Sequence, residues 1–173
     1  MYRLAEDAID WFVQAAIDAG LAAAAAEQAA RSALLCSGIG AERALEPWHR
    51  PILAMAGRRQ ILGITLGDVV YVASPDALTS WPLVSHEVVH VVQYQQAGTP
   101  RFLAGYALEY VRNRLRGLAD HDAYLALSSE VIARRVERLA ARRGPPPRRW
   151  LIPVDRGRSH VIDAPTHPGR TRA

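Results

Sequence analysis

The chain has 173 residues, half of them apolar, which is enough for one domain with a buried core. Its single cysteine, Cys36, excludes an intrachain disulfide framework and a cysteine-rich metal site. The net charge of +4 is uneven: residues 1–133 hold 10 Arg against 14 acidic residues, residues 134–173 hold 11 Arg against three, and there is no lysine.

The basic balance therefore belongs to the C-terminal segment. Such a segment suits nucleic acid or anionic lipid. Its Pro, Gly and Arg content reads instead as a solvated, disordered tail over 144–173, and nucleic acid is not an expected partner. Trp150, Leu151, Ile152 and Val154 are the residues able to dock back onto the domain. At the other end, Glu6 and Asp7 stand where the apolar core of a signal peptide should start. No apolar run approaches the roughly 18 residues of a membrane span. The expectation is a protein of the cytoplasm, or one exported without a recognisable signal.

Residues 4–19 predict an amphipathic helix, with Ile9, Phe12, Val13, Ala16 and Ile17 on one face. Leu21 to Leu35 predicts a second helix, rich in alanine and stopped by Ser37-Gly38-Ile39-Gly40. The two read as an N-terminal helical hairpin over 1–45, packed on the core or serving as a partner-binding arm. Glu46 to Pro51 reads as a loop because of its two prolines, with His49 a surface or packing residue. Gln60 to Leu66 and Val69 to Ala73 are apolar and β-branched around Gly67-Asp68, a hairpin signal. A helix should start near Ser80 with Pro82 in its first turn and end at Gly98. Thr99-Pro100 restarts a helix through Arg116 that is expected to bury Phe102, Leu103, Tyr106, Leu108, Tyr110 and Val111. A polar loop over Leu118 to Asp122 and a last helix from Ala123 to Arg143 complete a domain spanning 46–143.

The third helix carries Ser85-His86-Glu87-Val88-Val89-His90-Val91-Val92-Gln93, of the form H-E-x-x-H. Residues four apart share a helix face, so His86 and His90 can aim two imidazoles at one point, where Zn²⁺ is the fitting ion. Glu87 can take a proton from a water held there and pass it to a leaving group. The valines between would bury the helix and hold the histidines rigid.

A catalytic zinc site needs a third protein ligand. The metzincin pattern fails, because Gln96 stands where its third histidine would be and Gln93 replaces its glycine. Glu109, Asp120, His121, Asp122, Glu130 and Glu137 remain. Glu130 is preferred, as a carboxylate among Val131, Ile132 and Ala133 needs a partner and a metal would serve; pairing with Arg134 is its ordinary alternative, and His121 is the next candidate. His121, Tyr124 and Tyr106 are candidate oxyanion donors, and Gln93 a candidate to orient the ligands.

At this point the chain resembles small bacterial zincin-like proteins with H-E-x-x-H-x-x-Q, the gluzincin-type group that includes the peptidase-like domain called the extracellular contractile injection system core. The matching text is Gly63-Ile64-Thr65-Leu66-Gly67, then His86 to Tyr94, an aromatic helix, Tyr124, and Glu130-Val131-Ile132-Ala133, roughly residues 60–135. In such proteins the later segment reads N-P-x-E-x-E-A, and its first glutamate, here Glu130, is the implied third zinc ligand. Ser128 and Ser129 depart from the usual lead-in, and Ile132 replaces the second glutamate.

The expected fold is α+β, mainly helical and zincin-like, with a short β-hairpin followed by an active-site helix and a downstream ligand helix. The expected function is zinc-dependent hydrolysis of peptide bonds in a peptide or protein substrate, by a metal-bound water with Glu87 as general base. The alternative is a non-catalytic, zinc-stabilised scaffold or protein-binding module.

Overall fold

In the computed structural model of the chain, residues 1–58, 61–146 and 149–154 are described. The order of elements is β1 (Tyr2–Leu4), α1 (Glu6–Asp18), α2 (Ala23–Ser32), β2 (Leu34–Ser37), a 3₁₀ turn (Ala41–Arg43), α3 (His49–Arg58), β3 (Gly63–Leu66), β4 (Val69–Val72), α4 (Pro75–Leu78), α5 (Trp81–Ala97), α6 (Thr99–Leu115), α7 (Asp120–Leu125), α8 (Ser128–Arg143) and β5 (Leu151–Pro153). The protein is α+β and mainly helical, with one five-stranded mixed sheet of order β3-β4-β2-β1-β5. None of the described helices is long and apolar enough to cross a membrane.

The β3–β4 hairpin turns through Gly67-Asp68, with Gly67 at φ +64°, the left-handed conformation that a tight hairpin turn requires. Its second strand, β4, is then covered on its other side by parallel pairing with β2. That leaves β3 as one edge of the sheet and β5 as the other.

α5 runs through the middle of the core. From Val84 to Val92 every residue is buried, so this stretch of the helix has no solvent face. Its neighbours make that possible. The buried side of α2 is Ala26, Ala29 and Ala30, small enough for close helix approach, and α8 presents Ala133, Val136 and Ala140. Val84, Val88, Val89, Val91 and Val92 fill the remaining space with side chains that have few rotamers in a helix. Phe12 of α1 and Leu35 and Val70 of the sheet belong to the same cluster. A smaller cluster under α3 gathers Cys36, Leu53, Leu66 and Tyr71.

Several expectations are corrected. Leu34 and Leu35 are not helical: Ala33 turns to ψ 124° and the segment pairs in register with Val69–Val72. Residues 1–45 are not a separate helical hairpin, since they supply β1 and β2 to the sheet and α1 and α2 to the shared core. The segment 46–51 is not all loop: α3 begins at His49, and Pro51 fits its first turn, where no backbone donor is needed. The last helix is two. Leu127 leaves the helical region at ψ 133°, buries its side chain and restarts the chain as α8. Residues 149–154 return to the fold: β5 pairs with β1, Ala5 donates to the Trp150 carbonyl at 2.9 Å, and the Trp150 ring meets Trp81 edge-on at 5.2 Å. The remainder of the expected tail, 155–173, lies outside the described residues.

α6 also differs from expectation. Phe102 and Tyr106 turn inward, but Leu103, Leu108 and Val111 are exposed. The apolar residues of this helix lie on two opposed faces, and only one of them meets the domain.

Candidate metal centre

α5 presents His86 and His90 one turn apart toward α8, where the break at Leu127 sets Glu130 in the first turn. A helix N-terminus favours a negative charge at that position. The three side chains meet in the core. His86 Nε2 lies 3.2 Å from His90 Nε2 and 3.3 Å from Glu130 Oε2, and His90 Nε2 lies 3.4 Å from Glu130 Oε1. A tetrahedral zinc site with bonds of about 2.0–2.1 Å has ligand-to-ligand edges of about 3.3–3.4 Å. The two nitrogens and the nearest carboxylate oxygen to each have nearly that spacing, and Glu130 is only 2% exposed, the histidines 7%.

The outer hydrogen bonds decide which way the imidazoles face. His86 Nδ1 lies 3.0 Å from Glu137 Oε2; an ionised carboxylate only accepts, so Nδ1 carries the proton. His90 Nδ1 lies 2.8 Å from Gln93 Oε1, and Gln93 Nε2 donates to the Ser129 carbonyl at 3.0 Å, which orients the amide. His90 Nδ1 is therefore also the donor. In the neutral rings both Nε2 atoms are left as lone pairs pointing at each other and at a carboxylate. Glu130 Oε2 has no hydrogen-bond donor among the described residues. Acceptors converging on one buried point favour a cation between them. The His86, His90 and Glu130 group is able to hold a metal ion.

Without a metal, a proton fills that role. Burial lowers the His86 pKa, but Glu130 and Glu137 overcome it and raise it to about 9. Burial works to raise the Glu130 carboxyl, and the two imidazoles outweigh it and hold the group below the ordinary carboxylate range.

No protein family, curated protein or solved structure matches this chain.

Glu87 is fully enclosed on the side of α5 that faces β3. Its Oε2 lies 2.7 Å from the Thr65 hydroxyl, and Thr65 Oγ1 is 3.0 Å from the Glu87 carbonyl. A Cβ on Gly63 would stand 2.5 Å from Glu87 Oε1, so glycine is what lets the strand approach the carboxylate. Burial raises the pKa of Glu87, while His90, His86 and Thr65 pull against the rise. A carboxyl group raised toward neutrality is suited to accept a proton and return it.

Tyr106 donates to Glu130 Oε1 at 3.3 Å. Burial and the Glu130 charge raise the pKa of both Tyr106 and Tyr124, so both stay protonated and able to donate. The Arg134 guanidinium packs 5.3 Å above the Tyr124 ring and stands 3.8 Å from Glu130, beyond hydrogen-bond distance. Gln93 orients His90, as described above. His121 is exposed on α7 and is brought to neither the ligands nor Glu87. Of the alternative third ligands, Glu109 instead accepts from the Ser128 backbone N–H at 3.1 Å and hydroxyl at 2.8 Å, capping α8. Asp120 meets Tyr110, and Glu137 orients His86. His49 is buried, with Nδ1 2.9 Å from the Tyr71 hydroxyl, in the small cluster remote in sequence from the motif.

The sequence reading missed the roles of Glu137, Thr65 and Gly63. Glu137 is seven residues beyond Glu130, two turns along the same helix face, so a signal was present. Thr65 and Gly63 had no local signal, because their role depends on a strand packing against a helix.

Proposed function

We propose that the protein is a zinc-dependent hydrolase of peptide bonds, with His86, His90 and Glu130 as zinc ligands and Glu87 as general base. The observation that carries this reading is the set of facing Nε2 lone pairs and carboxylate oxygens, with a base-competent carboxyl enclosed beside them. A zinc ion held there supplies Lewis acidity toward a substrate carbonyl and toward water.

The chain's own residues do the rest. Glu87 takes the proton of the attacking water and delivers it to the departing amine. Glu137 and Gln93 keep the imidazoles in the tautomer that coordinates. Tyr106 and Tyr124 stay protonated beside the ligands, and either would stabilise a developing oxyanion by turning its O–H from Glu130 toward it.

An extended substrate fits the sheet edge. β4 is paired on both sides and has no edge to offer. Among the described residues β3 is an edge strand, and its Gly63 and Thr65 touch Glu87, so a peptide added there would run past the base. The resemblance of residues 60–135 to zincin-like proteins supports the same fold family and activity.

One observation favours a second reading. The ligands are sealed under α6 and α7, which suits a zinc-stabilised scaffold. Glu87→Gln separates the two. In an enzyme, the variant retains zinc, measured by metal analysis, and loses about a hundredfold or more of hydrolysis on a peptide library. A zinc-loaded wild type that cleaves nothing, or a variant as active as wild type, would sink the enzyme reading.

A further inference from the structure

The helix that covers the site has a second, outward face. At 100° per residue, Ala104, Leu108, Val111 and Leu115 fall within an arc of about 60° on α6. They recur at spacings of four, three and four residues, the seam of a coiled coil. Ala104 is exposed, Leu108 is 70% exposed, Val111 50% and Leu115 84%. The aromatic side chains Phe102 and Tyr106 lie on the opposite side, against the domain.

The flanks of the seam carry one sign of charge. Arg101 and Arg112 border it on one side and Arg114 on the other, and none of them is in an ion pair among the described residues. The one acid of the helix, Glu109, faces away and is held by Ser128. We propose that this face docks a partner α-helix with aliphatic residues at heptad spacing and Asp or Glu beside them.

Three other occupants fit less well. A second copy of the chain would bring two rows of arginine to one seam with no carboxylate to answer them. The chain's own residues 155–173 carry four Arg against two Asp, again the same sign. A membrane surface favours a broad face with aromatic anchors, whereas this stripe is narrow and aliphatic.

The test uses the full chain and two synthetic helices about four heptads long, both with Leu at a and d, one with Glu and one with Lys at e and g. The Glu peptide should bind in the micromolar range by titration calorimetry, at least about tenfold more tightly than the Lys peptide. The double variant L108Q/L115Q should lose binding, and R112E/R114E should reverse the preference. Equal binding of the two peptides, or binding of neither, overturns the proposal. So does binding to phosphatidylglycerol-containing vesicles without peptide binding, or self-association that disappears in L108Q/L115Q. Both variants change exposed side chains, and the wild-type comparison stands alone should either fail to fold. Each arm is run with zinc and with chelator. Loss of zinc binding or hydrolysis leaves the docking result readable, and the reverse also holds.

Discussion

α5 and α6 follow one another in the chain, have the same length and lie on either side of the same site, yet they are held very differently. α5 is buried from Val84 to Val92, its valines packed against alanines of α2 and α8, and the polar groups of its motif answer to partners from α8 and β3. α6 touches the domain along one aromatic face and leaves its aliphatic stripe in water. The helix that carries the ligands cannot shift without opening the core. The helix that covers them gives up far less apolar contact if it moves. Access to the buried ligands should therefore come by displacement of α6 and α7, while α5 and α8 stay fixed.

The largest expected effect is removal of a ligand from the fixed side. Glu130→Ala leaves two imidazole lone pairs facing each other with no carboxylate. In the wild type, zinc at about a hundred times its dissociation constant should add about 2.7 kcal/mol, or a rise of roughly 5–10 °C in Tm for a chain of this size. The variant should lose that rise in a thermal melt with and without zinc. An undiminished rise would place the metal elsewhere.

An effect of similar size is on pH. His86 is raised to about 9 in the metal-free protein, so its contribution to stability is fully present below the ordinary histidine pKa of 6.5. That contribution is lost as pH rises through 9 and amounts to about 3 kcal/mol. Zinc must displace the same proton, so its apparent affinity should climb about tenfold per pH unit between pH 6 and 8. Denaturant melts of chelated and zinc-loaded protein at pH 6.5 and 9.5 test the pair. The chelated protein should weaken and the zinc-loaded protein should not; parallel behaviour would contradict the shared proton and metal position.

Smaller again is the effect of Glu137→Gln. The amide keeps an acceptor for His86 Nδ1 but removes its charge, and metal affinity should fall about 10–100-fold with the fold intact. Competition against a zinc-chelating dye measures it. Unchanged affinity would reduce Glu137 to a bystander.

What could be anticipated divides along the same line between local and distant causes. His86, Glu87 and His90 carry their spacing within five residues, Pro82 marks the start of α5, and Gly67-Asp68 marks the turn of the hairpin. These signals act over one turn of chain. The strand at Leu34–Ser37 is different: its apolar residues follow an alanine-rich helix without punctuation, and only pairing with Val69–Val72 makes them extended. Pro51 misled because a proline suits a loop and a helix first turn equally. In α6, both faces repeat at helical spacing, and nothing in Leu108 or Val111 tells which face meets a core that Phe102 and Tyr106 already satisfy. Glu137 was concealed by Arg134, Arg135 and Arg138 around it, which make that stretch look like a solvated surface.

The smallest expected effect is the sharpest comparison of the two helices. Val88→Ala on α5 removes two methyl groups from a site with no exposure, and a core truncation of that kind should cost about 1–3 kcal/mol. Leu115→Gln on α6 removes a larger side chain and inserts a polar one, yet that leucine is already in water and both residues are good helix formers. Its cost should stay within about 0.5 kcal/mol. Chemical denaturation of the two variants beside wild type compares them directly. If Leu115→Gln destabilised the isolated protein as much as Val88→Ala, the α6 stripe would be packed against the chain itself, and there would be no free face on the cover of the site.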